Sequence, residues 1–238
     1  MPDTLIDPSQ SDGAEARSAP VLRMESVGLT LGGPANQVEI LKAVNFEVFP
    51  GERVAIVGPS GSGKSSLLAV AAGLELPSSG KITLLGTPLA GLNEDALARL
   101  RRGRVSLVFQ SFHLLPTMTA LDNVRVPLDV ARLSNTESRA RQALEDVGLG
   151  HRIDHYPGQL SGGERQRVAV ARALASDPEI VFADEPTGNL DTQTGSGVAD
   201  QLFDIASDRG ASLVLVTHDL ALAKRADRQV EMKAGRLE

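Results

Sequence analysis

Gly58-Pro59-Ser60-Gly61-Ser62-Gly63-Lys64-Ser65, with Ser66 next, follows the apolar run Val54-Ala55-Ile56-Val57 and leads into a helix-like stretch, Ser65 to Gly73. The order G-x-x-x-x-G-K-[ST], set between a strand and a helix, is the context a phosphate-binding loop requires. Its glycines let the backbone curl so that successive N–H groups point inward at an anion, and the helix start adds partial positive charge. Lys64 is then placed to reach the β- and γ-phosphates of a nucleoside triphosphate, and the Ser65 hydroxyl to hold Mg²⁺. Residues Gly58 to Ser66 are read as a nucleotide-binding loop.

Working outward, Val105 to Phe109, Ile180 to Ala183 and Leu213 to Val216 are also short and almost wholly apolar. Strands covered on both faces of a parallel sheet read this way. Helical patterns separate them, at Glu94 to Arg102, Glu137 to Val147, Glu164 to Leu174 and Gly195 to Ala206. Alternating strands and helices imply an α/β layered fold. Val21 to Val27 and Ile40 to Val48 differ: apolar residues partly alternate there (Val44, Phe46, Val48), which predicts antiparallel strands with one polar face. No strong strand signal lies between Phe109 and Ser161, so a helical subdomain, about residues 111–175, is expected as an insert in the α/β core.

The composition bounds the classes. The 238 residues suffice for one large domain with a subdomain. No apolar run approaches the ~18–20 residues of a membrane-spanning helix. Residues 1–20 read as a disordered tail ahead of a domain covering 21–238, and the absence of cysteine excludes disulfides and thiolate metal sites. The formal net charge is −6 and there is no long basic stripe, which argues against nucleic acid as a partner.

Chemistry concentrates at predicted strand ends. Ile180 to Ala183 runs into Asp184-Glu185-Pro186. In an open parallel sheet, ligands sit beyond the carboxyl ends of strands. If the chain stays extended there, the two carboxylates point to opposite sides. Asp184 is assigned to the metal, through water, and Glu185 to general base. His218 follows Leu213 to Val216, where an imidazole can bond a γ-phosphate oxygen and orient the attacking water. Gln110 follows Val105 to Phe109, where a neutral amide can bind magnesium or water.

Leu160-Ser161-Gly162-Gly163-Glu164 opens another helix. Ser161 and Glu164 have the spacing of a capping box. Two glycines in a first turn make sense where something must approach the backbone closely. A helix start with a serine hydroxyl is a second anion site. Two such starts in one chain suggest that each completes the site of another copy, giving a head-to-tail homodimer with nucleotide between subunits.

In this order, the phosphate loop, Gln110, Leu160 to Glu164, Asp184-Glu185, Gly188-Asn189-Leu190-Asp191 and His218 resemble the ATPase domains of the ABC family. Residues Val108 to Pro116 and Ala183 to Asp191 are similar to its MacB/LolD group. The resemblance implies a P-loop NTPase core of the ABC ATPase type, with ATP and Mg²⁺ as cofactors. It implies that Ser161 and Gly163, in the signature Ser161 to Glu164, contact the γ-phosphate held by the opposite subunit. Asp191 would sit at the dimer seam, and Leu114 to Val124 would meet an integral membrane permease with a large periplasmic part. The chain would then lie on the cytoplasmic face of the inner membrane as a peripheral subunit. The alternative is a soluble ABC ATPase of DNA maintenance or translation. Fewer than a hundred residues lie between Lys64 and Ser161, without sustained heptads, whereas chromosome-organising relatives insert a long coiled coil there. A small-molecule kinase shares the phosphate loop but leaves residues 160–164 unexplained.

One departure from the family stands out. An aromatic residue near position 31 usually stacks on adenine, but Leu29 and Leu31 are aliphatic and no aromatic precedes Phe46. This predicts weaker adenine discrimination. His151 and His155 have metal-like spacing around Asp154, but no further ligand accompanies them. The cluster Arg99, Arg101, Arg102 and Arg104 suits a helix C-terminus, and Tyr156 and Phe112 suit apolar packing.

Overall fold

In the computed structural model, which describes residues 18–33 and 36–238, the alternating segments Leu22–Leu31 (β1) and Val38–Val48 (β2) pair antiparallel. Most of the tail expected over residues 1–20 lies outside the described residues. The sequence reading missed two further strands of this sheet, Ser79–Leu84 (β4) and Thr87–Pro88 (β5), which complete the order β2-β1-β4-β5. They arrive after Arg53–Val57 (β3) and the helix Lys64–Ala71 (α1), so the antiparallel layer is assembled from both sides of the phosphate loop.

The second sheet follows the apolar runs. After Glu94–Arg101 (α2) come Val105–Phe109 (β6), then Ile180–Asp184 (β7) and Ser212–Val216 (β8). The chain ends with Leu220–Ala223 (α7), Arg228–Lys233 (β9) and Arg236–Leu237 (β10). The order is β10-β9-β3-β8-β7-β6, parallel except for the β10 edge. Period-two alternation explains why the central strands are apolar throughout. Ile180, Phe182, Val214 and Val216 join a core shared with the antiparallel layer, with Phe46, Leu67 and Met232. Val181, Ala183, Leu213 and Leu215 join a second core under the helices. Both sides of each strand are therefore dry, and β8 is buried at every residue.

Between β6 and β7 lie the helices Ala120–Val130 (α3), Thr136–Asp146 (α4) and Gly162–Leu174 (α5), and Thr192–Asp208 (α6) follows β7. Thr119 caps α3, its hydroxyl accepting from the Asp122 N–H at 3.1 Å. The buried Asn123 amide donates to the carbonyls of Leu115, Met118 and Thr119 and accepts from the Leu115 N–H, so it fastens the loop before α3. Three helices are tied together at Asp177. Arg139 of α4 and Arg209, just past α6, bind its two carboxylate oxygens at 2.6 and 2.5 Å. Arg209 also reaches Asp146 of α4 and the Leu174 carbonyl of α5, at 2.9 and 2.8 Å.

Candidate functional site: a nucleotide edge and a second helix start

Parallel register brings four strand ends to one edge. Ile56 and Asp184 both lie beside Val216, and Phe109 lies beside Asp184. The segments that begin at Gly58, Gln110, Glu185 and Thr217 therefore emerge together. This is the rim where open parallel sheets take ligands.

The Gly58–Ser66 loop wraps directly into α1. Gly63 is the residue before the helix, at φ 103°, and no side chain caps the helix start. A Cβ at Gly63 would also press on the Ile40 carbonyl oxygen at 3.1 Å and the Met232 methyl at 3.0 Å, so glycine is required twice over. Lys64 is only 8% exposed. Its ammonium donates to the carbonyls of Gly58 and Pro59 at 2.9 and 3.0 Å, and no carboxylate bridges to it among the described residues. The Ser62 hydroxyl is buried without a partner. A buried cation bridged to no carboxylate among the described residues, beside an uncapped helix start, is an electrostatic setting for an anion.

Asp184 closes the other side of this loop. Burial pushes its carboxyl above the usual carboxylate range, the Ser65 hydroxyl and Lys64 draw it back, and the Glu185 charge pushes it further up. Its Oδ1 is buried and unpartnered. An orphan carboxylate oxygen near a serine hydroxyl is a donor set that suits a hard divalent cation. Strand alternation does not place Glu185, however. β7 ends at Asp184, and Glu185 turns to φ 46°, a left-handed conformation costing roughly 1–3 kcal/mol for a non-glycine residue. Its N–H bonds the Val216 carbonyl at 2.9 Å, and its Oε1 lies 2.9 Å from His218 Nδ1. Glu185 is mostly buried (17% exposed side chain), whereas the His218 ring is open to solvent at 71%.

Gln110 stands at the same rim but is engaged sideways. Its Nε2 donates to Asn189 Oδ1 at 3.2 Å, and Asn189 Nδ2 returns a bond to the Gln110 carbonyl at 2.9 Å. Sequence reading gave Asn189 no partner, and no local pattern announces a pair so far apart in the chain. A cleft of about 480 Å³ opens beside these groups, lined in part by Glu185, Thr187, Leu190, Asp191, His218 and Arg225.

The second helix start is a complete capping box. The Ser161 hydroxyl accepts from the Glu164 N–H at 3.2 Å, and Glu164 accepts from the Ser161 N–H at 2.8 Å. The Ser161 N–H first, then the Ser161 side chain, hold the Glu164 carboxyl below its usual range, and Arg152 adds to the effect from 3.3 Å. The close approach expected at the glycines has an occupant within the chain: a Cβ at Gly163 would collide with the Thr194 methyl, and one at Gly162 would touch Leu190 at 3.4 Å. The starts of α5 and α6 are thus packed together. Asp191 caps α6 through the Thr194 N–H at 3.0 Å, a bond that lowers its carboxyl. Among the described residues, no hydrogen bond joins Ser161 or Glu164 to the Gly58–Ser66 loop.

Of the Leu114 to Val124 stretch, Ala120, Leu121, Asn123 and Val124 are buried core, while Leu115 is exposed, as is Tyr156. His155 faces Arg152, 3.1 Å from its guanidinium, and its carbonyl accepts from the Ala120 N–H.

Known proteins share this arrangement. Residues 41–188 match the ABC transporter family. The chain is 49% identical to the uncharacterized ABC transporter ATP-binding protein YbbA of Escherichia coli K12, over 92% of this chain and 96% of that protein. It is 50% identical to the lipoprotein-releasing system ATP-binding protein LolD of Bordetella pertussis, over 93% and 96%. A structure of the ATP-binding cassette MJ0796, dimeric in a post-hydrolysis state with ADP and Pi, superposes with a TM-score of 0.84 at 37% identity, covering 91% of this chain and 96% of that one. Carried by the same order of loops on the same sheet edge, the chain belongs to the ABC transporter family, as one of its ATP-binding cassettes.

Proposed function

We propose that this cassette is the ATP-hydrolysing subunit of an ABC transporter, closing as a homodimer on ATP to drive a separate membrane permease with a large periplasmic part, in the exporter or mechanotransmission manner of the MacB/LolD group. The observation that carries this reading is the Glu185–His218 pair standing beside Asp184, Ser65 and Lys64 at one sheet edge. Dimeric MJ0796 and the LolD relatives support the assembly.

The catalysis is positioning and charge stabilisation. Lys64 leaves its loop carbonyls for phosphate oxygens, and the free N–H groups of α1 receive the remaining charge. Ser65 and Asp184, with Gln110 at the rim, fit Mg²⁺, which when bound neutralises charge on the phosphates. Glu185 accepts a proton from the attacking water. His218 holds the Glu185 carboxylate in place and faces the γ-phosphate. Ser161, Gly162, Gly163 and Glu164 belong to the partner's site: the Ser161 hydroxyl and the N–H groups of the α5 start are donors for a γ-phosphate. Asp191 lies at the seam between copies.

No described helix is long and apolar enough to cross a membrane. Leu115 and Tyr156 are apolar residues exposed for such a permease. Co-purification tests the reading: the cassette should sediment with membranes only when its permease is expressed, on the cytoplasmic face. Soluble behaviour in cells that make the native permease would favour the alternative of a soluble ABC ATPase.

The nucleobase contact is a separate expectation. Leu31 is 40% exposed and lies across from Val38, also exposed, on the β1–β2 hairpin whose Ile40 touches Gly63. Leu31→Tyr supplies a stacking ring and should lower the KM for ATP about tenfold. Unchanged KM values for ATP and GTP would remove this hairpin from base recognition.

A further inference from the structure

The turn after Gln110 is held in an unusual state. Phe112 at φ 59° and His113 at φ 47° are both left-handed, though neither is glycine. Non-glycine residues visit that region singly rather than in succession. Arg172, in the last turn of α5, spans both carbonyls of this turn: Nη1 donates to His113 O at 2.6 Å and Nη2 to Phe112 O at 2.8 Å. No carboxylate pairs with Arg172 among the described residues, and burial alone draws its guanidinium below the usual value. Two more α5 side chains reach the same segment. Arg165 lies over the Phe112 ring at 5.3 Å, and the fully buried Gln166 directs its amide nitrogen to the Phe109 carbonyl at 3.5 Å. The Phe109 and His113 rings meet at a tilt of 49°, their centroids 4.7 Å apart.

We infer that Arg172 is a positioning residue for hydrolysis: its fork clamps the left-handed Phe112-His113 turn and so fixes where Gln110 stands relative to Ser161 at the other end of the same helix. A guanidinium is suited to this because its donors form a rigid planar fork, whereas an ammonium is a compact charge with no such fork. Between Ser161 and Arg172 the helix is a rod about 17 Å long. A shift of its serine end, which the proposed function places against the partner's nucleotide, is thereby delivered to Gln110 of its own subunit. The inference rests on the proposed role of Gln110 in hydrolysis.

The test is steady-state ATP hydrolysis by the purified full chain, with thermal unfolding measured alongside. Arg172→Ala should lower kcat roughly ten- to a hundredfold, with KM for ATP within about twofold, as expected when a catalytic group is misplaced rather than removed. His113→Gly alone should stay within about twofold of the parent, since glycine adopts this φ without a clamp. Added to Arg172→Ala, it should restore kcat at least fivefold or so, because the turn no longer needs holding. Arg172→Lys should fall between parent and alanine variant, and serves as the test if Arg172→Ala does not fold. Full-rate Arg172→Ala or Arg172→Lys overturns the clamp, as does a loss that His113→Gly leaves unrelieved. Gln110→Ala separates the layers. If it is slow while Arg172→Ala is not, the clamp alone fails. If Gln110→Ala runs at full rate, the reading of Gln110 fails and takes the clamp's catalytic role with it.

Discussion

Glu185→Gln is expected to bind ATP, assemble as a dimer and hydrolyse at a rate about 10²–10⁴-fold below the parent, the usual worth of a positioned general base. The amide has the shape of the carboxylate, so the left-handed backbone at residue 185 and the bond from its N–H to Val216 persist. What disappears is the capacity to accept a proton from water at a carboxylate whose Oε1 lies 2.9 Å from the His218 imidazole. Lys64, Ser65 and Asp184 are untouched, so binding continues while turnover stops. Closure driven by ATP then has no exit, because ligand holds a two-state equilibrium on the side it prefers. Size-exclusion chromatography with ATP should show a lasting dimer, and a phosphate-release assay should show almost no product. A variant within tenfold of the parental rate would remove Glu185 from the role of base.

Lys64→Met is expected to fail one step earlier. The ammonium is nearly enclosed and spans the Gly58 and Pro59 carbonyls. On the proposed reading it exchanges those two bonds for charged phosphate oxygens, worth roughly 1.5–3 kcal/mol each. Losing both corresponds to a Kd for ATP weakened by about two to four orders of magnitude. Methionine retains the length and apolar stem of lysine, so the Tm should change little. Calorimetric titration with ATP checks the affinity, and a Kd within tenfold of the parent would mean that the loop backbone binds phosphate without its lysine.

These two expectations rest on parts of the molecule that were legible at different levels. The phosphate loop and the strands around 54–57, 105–109, 180–184 and 213–216 could be read because two-sided burial leaves an unbroken apolar run. β4 and β9 could not: Lys81-Ile82-Thr83-Leu84 and Gln229-Val230-Glu231-Met232 alternate too briefly to announce a strand, and each finds its partner far away in sequence. The strand ends that gather Asp184, Glu185, His218 and Gln110 followed from parallel topology. The aim of each side chain did not. Glu185 leaves the extended region at the residue where alternation was expected to continue, and Gln110 turns to Asn189 rather than toward Ser65. The glycine at 163 showed that something comes close, but only folding names it as Thr194. The clamp on residues 112–113 likewise hides in an arginine of an ordinary amphipathic helix.

Asp177 has a mechanical meaning that its place outside the nucleotide edge conceals. With Arg139 and Arg209 on its two oxygens, and Arg209 also on Asp146 and the Leu174 carbonyl, α4 is held from its first turn to its last residue against the trailing ends of α5 and α6. Slippage between these helices would dissipate any tilt imposed at Ser161. A rivet at the opposite end of α5 from that serine ties the three helices into a single leaf.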